Sequence, residues 1–277
     1  MGIEQANCMR RFIRMCDDGW VEGWHESNGG NLSYRLDEED IRVVMPYLKV
    51  SGEGHDWVGI GRKEPDIANA LFLVTAAGSP MRKVSIDPTL NCGIVEIDES
   101  GSAWRRVWGL RNARPTSEFL GHLLAHAALI RDADGDSRVV YHAHCQSVIA
   151  LSLILNASEA EWNRALWGAM TEVVMLTPQG VGVLPWMLPG GRELAEQTAL
   201  KIAKHAAVVW SQHGLIATGP DFDETFGLTH TIEKAASIYL KARAANGGRV
   251  PDRLVTPAQL REVCDAIGAS FNEDLLQ

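Results

Sequence analysis

No apolar run in this 277-residue chain reaches the roughly 18 residues that a membrane-spanning helix needs, and its first residues contain no hydrophobic segment of the signal-peptide kind. Ala6 stands where a myristoylation signal after Met1-Gly2 would carry Ser or Thr. The five cysteines (Cys8, Cys16, Cys92, Cys145 and Cys264) are odd in number and form no Cys-x-x-Cys pair. Neither a disulfide framework nor a cysteine zinc site is therefore indicated. Positive charge is also short. Against 35 Asp and Glu stand 26 Lys and Arg, and a net charge of −9 disfavours nonspecific nucleic-acid binding while leaving room for a local basic pocket. No internal repeat or low-complexity linker divides the chain. These absences lead to the expectation of a cytoplasmic protein whose residues 1–277 form a single α/β domain, and 46% hydrophobic content suffices for its core.

Helical periodicity covers residues 3–24, and Ser27-Asn28-Gly29-Gly30-Asn31 breaks it. Strands are expected over residues 32–36 and 71–75, with a fragment at 43–45 and an irregular excursion over 49–69. Asp98-Glu99-Ser100-Gly101 reads as the turn of an antiparallel hairpin joining 94–97 to 105–108. A helix over 116–131 is entered at Pro115 and carries Phe119, Leu120, Leu123, Leu124, Ala127 and Ala128 at helical spacing. Further helices are expected over 147–155, 162–169, 192–205 and 223–244, and from Thr256-Pro257 to Gly268; a strand is expected over 172–177.

Chemistry concentrates at His142-Ala143-His144, which closes the apolar run Val139-Val140-Tyr141. Side chains alternate along a strand, so the two imidazoles share a face and offer two of the three protein ligands of an open zinc site. His213, followed by Gly214 between apolar runs, is the candidate for the third. Ordinary core or surface histidines fit the same residues. Glu118, after Pro115-Thr116-Ser117 at a helix head, can serve as ligand or base. His122 and His126 share its helical face and make a rival ligand set, Glu118-His122-His126. Thr116 and Ser117 set hydroxyls beside free backbone N–H groups, a means of holding phosphate, and Asn28-Gly29-Gly30-Asn31 offers the same chemistry.

Several segments together resemble the class II, zinc-dependent sugar-phosphate aldolases related to adducin. They are residues 23–32, Trp108-Gly109-Leu110, Pro115-Thr116-Ser117-Glu118, His142-Ala143-His144, 180–187 and His213-Gly214 leading to 223–228. Leu-Pro-Trp-Met at 184–187 and Asp-Glu-Thr-Phe-Gly-Leu at 223–228 are similar to its rhamnulose-phosphate branch. The resemblance implies a three-layer α/β/α fold with a central mixed, mostly antiparallel sheet, assembled as a homotetramer. It implies Zn²⁺ on His142, His144 and His213, with Glu118 as exchangeable fourth ligand and proton-transfer base. The implied reaction is reversible retro-aldol cleavage of L-rhamnulose 1-phosphate to dihydroxyacetone phosphate and L-lactaldehyde, through an enediolate whose charge the cation stabilises. Phosphate is then expected among Asn28, Gly29, Asn31, Gly78, Thr116 and Ser117, and Glu172 toward the distal end of the sugar or at a subunit contact. The chain departs from the pattern at Ala76-Ala77-Gly78, where related aldolases carry a Gly-Ser phosphate turn. A lost hydroxyl donor costs on the order of 1–3 kcal/mol unless replaced, and Ser79 is the nearby candidate.

Three other readings compete with this one. A pentulose-phosphate 4-epimerase of the same superfamily resembles the chain at the histidines but has Asp where Glu118 stands. An adducin-like interaction module would lack the histidines. A Schiff-base aldolase needs a buried lysine, and Lys83 is the least implausible of seven.

Overall fold

In the computed structural model, residues 2–49, 56–132 and 136–276 are described. Nine strands form one sheet: β1 (Asn31–Arg35), β2 (Val58–Gly59), β3 (Leu71–Thr75), β4 (Cys92–Ile97), β5 (Ala103–Gly109), β6 (Val139–Ala143), β7 (Gly182–Leu184), β8 (Ala207–Trp210) and β9 (Gly214–Gly219). Their order is β2-β5-β4-β3-β1-β6-β9-β8-β7, antiparallel throughout except for β7 alongside β8. The helices are α1 (Asn7–Val21), α2 (Glu38–Val44), α3 (Pro88–Asn91), α4 (Phe119–Asp132), α5 (Gln146–Leu151), α6 (Glu159–Ala169), α7 (Thr171–Leu176), α8 (Arg192–Ile202), α9 (Phe222–Ala245) and α10 (Pro257–Ile267).

Strand alternation sorts the core into two layers. Leu32, Tyr34, Tyr141, Ala143, Leu215 and Ala217 pack with Met9 and Phe12 of α1 and Phe222 and Ile232 of α9. On the other face Phe72, Val74 and Val95 meet Phe119 and Leu123 of α4, while Val140, Val208 and Ile216 meet Leu129 of α4 and Leu194 of α8. The helix α4 is buried almost all round because α8 covers its outer side, as an apolar helix requires. The result is the expected three-layer α/β/α arrangement around a mixed, mostly antiparallel sheet.

Two short runs expected as strands are helical. Residues 43–45 fall at the end of α2 and in the following 3-10 turn, because Asp37 caps the helix by accepting from the Asp40 amide, which outweighs the β preference of Val43-Val44. Residues 172–177 lie in and just after α7: Val173, Val174 and Thr177 are buried, a helical face, where a strand would bury alternate residues. The strand β7 carried no period of its own in the sequence. The excursion at 49–69 holds β2 and a 3-10 turn, and residues 50–55 of it lie outside the described residues. As Thr256-Pro257 implied, α10 has a capping box and ends on Gly268 in the left-handed conformation.

Candidate functional site

The site grows from the register between β1 and β6, which pairs Asn31 with His142. His142 shares the α4 side of the sheet with Val140, and His144, just beyond the strand end, follows it by alternation. His213 comes from the turn between β8 and β9, where Gln212 adopts a positive φ of 57° and its amide donates to the Ser152 hydroxyl. The ring centroids of His142, His144 and His213 lie 4.7–5.2 Å apart. One potential ligand atom from each falls within 4.8 Å of the others, the only such group of three among the described residues. The Trp210 ring packs 4.5 Å from His142 and 5.1 Å from His213, walling off one side.

Each imidazole is prepared differently. His142 Nδ1–H donates to the Leu215 carbonyl at 3.1 Å, which leaves the lone pair on Nε2, and that buried atom has no hydrogen-bond partner. His144 Nδ1 lies 2.6 Å from Glu26 Oε1, the carboxylate–histidine pairing that fixes the orientation of a metal-ligating ring. His213 Nδ1 is also buried and unpartnered. Burial and the neighbouring imidazoles push His142 well below its ordinary value and His213 down to about 4, so these two rings are neutral and able to accept a cation. Neutral imidazoles with an orphaned lone pair fit a borderline cation such as Zn²⁺.

Glu118 faces this cluster from the entrance to α4. Its carbonyl accepts from the His122 amide, the first helical bond, so the residue is the cap and α4 begins three residues later than the sequence indicated. The buried carboxylate lies 3.7 Å from His142 Nε2 through Oε2 and 3.8 Å from His213 Nε2 through Oε1. Asn31 Nδ2 donates to Oε2 at 2.7 Å. Burial pushes the carboxyl up, opposed by the Asn31 hydrogen bond.

The rival set Glu118-His122-His126 shares a helical face as its spacing required, but His122 and His126 turn to Ser33 on β1 rather than to a common point with Glu118. The strand end at Thr75 runs beside the entrance to α4: Ala76 bridges Pro115, and the Thr116 amide donates to the Thr75 carbonyl. This brings Gly78, at a φ of +70°, close in the chain to the turn that faces Thr116 and exposed Ser117. Ser79 does not supply the missing hydroxyl, because it donates to Asn91. Asn31 is occupied by Glu118 and His122, and Asn28 is exposed. Glu172 is exposed in the first turn of α7, on the opposite sheet face from α4. Lys83 is exposed as well, without the burial that activates a Schiff-base lysine. The sequence reading missed the contact of Glu26 with His144 and the Ser33–His122–His126 cluster; a carboxylate one residue after His25 carries no spacing signal toward a histidine 118 positions away.

Two glycines let the backbone pass this close. A Cβ on Gly29 would lie 2.8 Å from His144 Nδ1, and one on Gly30, which has a φ of +73°, would lie 2.2 Å from His25 Nδ1 and 2.8 Å from the His142 carbonyl. Gly30→Ala should therefore lower stability by about 2 kcal/mol or more, combining overpacking with left-handed strain. An unchanged urea midpoint would contradict that geometry.

Buried neutral histidines also set an acid limit on the metal-free protein. Burial pushes His25 down to about 4 and His122 down to about 3, and His126 is well below its ordinary value. Their unfolded counterparts take protons near pH 6.5, so the stability they contribute is full above that pH. It falls by up to about 1.4 kcal/mol per histidine per pH unit as the pH drops toward the folded values. Glu118, shifted upward, acts in the opposite sense as a single group. The urea midpoint should be clearly lower at pH 5 than at pH 7; a flat midpoint would mean that these rings are solvated in the fold.

Three imidazoles and a buried carboxylate, gathered from separate segments on one face of a mixed sheet, form a cluster that could hold a metal ion. The chain belongs to the family described as Class II Aldolase and Adducin N-terminal domain, which matches residues 10–240. Rhamnulose-1-phosphate aldolase of Escherichia coli K12 is 40% identical over 246 residues, covering 88% of this chain and 89% of that protein. Among solved structures, a sugar-phosphate aldolase from Thermotoga maritima superposes with a TM-score of 0.69 at 28% identity, covering 88% of this chain and 98% of the other. An L-fuculose-1-phosphate aldolase from Thermus thermophilus shares the fold, with a TM-score of 0.57 at 20% identity over 87% of this chain and 96% of the other. No helix among the described residues is long and apolar enough to cross a membrane.

Proposed function

We propose that this protein is a zinc-dependent aldehyde-lyase that reversibly cleaves L-rhamnulose 1-phosphate to dihydroxyacetone phosphate and L-lactaldehyde. The observation that carries the reading is Glu118 set against the three-histidine cluster, in a chain 40% identical to rhamnulose-1-phosphate aldolase over most of its length. His142, His144 and His213 would hold the cation, which supplies Lewis-acid stabilisation of the negative charge that develops as the carbon–carbon bond breaks. Glu118 carries the proton: in the cleavage direction it returns one to the carbon that becomes part of dihydroxyacetone phosphate, and condensation reverses the transfer. Its upward-pushed carboxyl suits a group that must both take and give a proton.

For the phosphate, the reading uses backbone N–H groups around Asn28, Gly29 and Gly78 with the hydroxyls of Thr116 and Ser117, and leaves out Asn31, whose side chain is taken by Glu118 and His122. The adjacency of the Thr75–Ala76 and Pro115–Thr116 segments supports it. Glu172 stays outside the site proposed within one chain. The reading also takes residues 1–277 as a single domain in a cytoplasmic homotetramer. Support for the single domain comes from α1 and α10 sharing one core, and support for subunit contacts from exposed Trp186 and Leu188.

The direct test is a panel of ketose 1-phosphates, with released dihydroxyacetone phosphate coupled to NADH oxidation. L-Rhamnulose 1-phosphate should be the best substrate. If no ketose 1-phosphate releases dihydroxyacetone phosphate, the aldolase reading fails.

A further inference from the structure

Behind Glu118 runs a chain of hydrogen bonds that the reaction as described does not use. From Glu118 at the cap of α4, His122 and His126 follow at intervals of four residues, a rise of about 6 Å, while Asn31 and Ser33 recur every second residue along β1, about 6.7 Å. The two repeats nearly match, so side chains of helix and strand alternate along a single line. His126 Nε2 meets Ser33 Oγ at 2.9 Å, Ser33 Oγ meets His122 Nδ1 at 2.7 Å, His122 Nε2 meets Asn31 Oδ1, and Asn31 Nδ2 meets Glu118 Oε2 at 2.7 Å. At 1% and 0% exposed, His122 and His126 leave water little part in the line.

Each link dictates the next. A carboxylate only accepts, so Asn31 must turn its N–H₂ to Glu118 and its Oδ1 to His122, and His122 must carry its proton on Nε2. Burial keeps His122 neutral, so its Nδ1 is a bare acceptor and the Ser33 hydroxyl has to donate to it. With its one hydrogen used, Ser33 Oγ accepts from His126 Nε2–H. His126 Nδ1 is then a lone pair, and that atom is indeed buried without a partner, with the Phe72 ring centroid 4.8 Å from that of His126. The opposite direction would leave an N–H donor stranded there, the more expensive defect.

We propose that Ser33, His122 and His126 are positioning residues, a one-way donor line that locks the Asn31 amide and through it holds Glu118 Oε2, leaving Oε1 toward His213 and the reacting face. The proposal rests on the reading of Glu118 as the proton-transfer base. A line of bonds pointing one way strengthens each member and makes an Asn31 flip unfavourable. Ser33→Ala removes the donor to His122 Nδ1 and the acceptor of His126 Nε2–H, so the His122 ring that backs the Asn31 amide loses its anchor while the metal ligands are untouched.

The experiment pairs imidazole NMR with kinetics on the zinc-loaded protein. Long-range ¹H–¹⁵N correlation spectra should show His122 and His126 both as neutral Nε2–H tautomers. Ser33→Ala should lower kcat about tenfold with KM for the sugar phosphate changed less than about twofold, bound zinc unchanged, and Ser33→Thr should restore kcat. An Nδ1–H tautomer at either histidine, or Ser33→Ala with wild-type kcat, overturns the proposal. The two readings separate cleanly, because the tautomers are observed without turnover and Glu118→Gln tests the base without removing a link of the line. A wrong tautomer overturns the line whatever Glu118→Gln does, and a fully active Glu118→Gln overturns the base whatever tautomers are seen.

Discussion

Glu118→Ala and Glu118→Gln should each lower kcat by about 10²–10⁴-fold, the usual contribution of a positioned acid–base group, while the protein still binds close to its full complement of zinc. The separation of the two readouts follows from where the carboxylate sits. Its oxygens are 3.7 and 3.8 Å from His142 Nε2 and His213 Nε2, at the edge of the cluster, whereas the three imidazoles converge without it. Gln keeps the shape and can still bond to Asn31, but it carries no proton to transfer. Turnover equal to wild type in Glu118→Gln would remove Glu118 from the chemistry. Parallel loss of zinc and activity would make it a ligand and not the base.

Removing the metal should abolish cleavage of L-rhamnulose 1-phosphate, and Zn²⁺ should restore it. The structural argument is the lone pair of His142: its Nδ1–H is tied to the Leu215 carbonyl, its Nε2 is buried without a partner, and an unsatisfied buried polar atom costs about 1–3 kcal/mol. A cation satisfies that atom. Zinc should therefore also raise the thermal midpoint of the EDTA-treated protein, by the equivalent of about 2.7 kcal/mol at a hundredfold excess over its Kd, and His142→Ala should lose most of that shift. Thermal stabilisation is read without substrate, so it separates metal binding from catalysis. Full turnover in protein shown to be metal-free would sink the metal-dependent reading, and a zinc shift undiminished in His142→Ala would place the metal elsewhere.

Much of the site was legible along the chain because its signals are local. Period-two alternation places His142 and His144 on one face, and Gly214 marks the turn that presents His213. The four-residue spacing puts Glu118, His122 and His126 along one helical stripe. Where local signals failed, a competing interaction had won: the Asp37 cap over the β preference of residues 43–45, and the packing of Val173, Val174 and Thr177 over that of 172–177. For the phosphate loop, the sequence showed the missing hydroxyl at Ala76-Ala77, but only the fold showed that Ser79 is held by Asn91 and does not replace it.

By itself, the sequence determined the residue types of the centre, their faces and the family they resemble, since backbone periodicity and short motifs carry that information. Which partner each polar atom meets was decided only by the tertiary structure. Two histidines on the stripe of Glu118 formed a weaker rival ligand set in the sequence, and only the placing of β1 beside α4 gave them Ser33 and Asn31 instead. Glu26 and His144 are 118 residues apart and join only because the loop before β1 packs against the end of β6. The physical reason is that hydrogen bonds and burial act over a few ångströms of space, and no spacing along the chain encodes which distant segment will fill them.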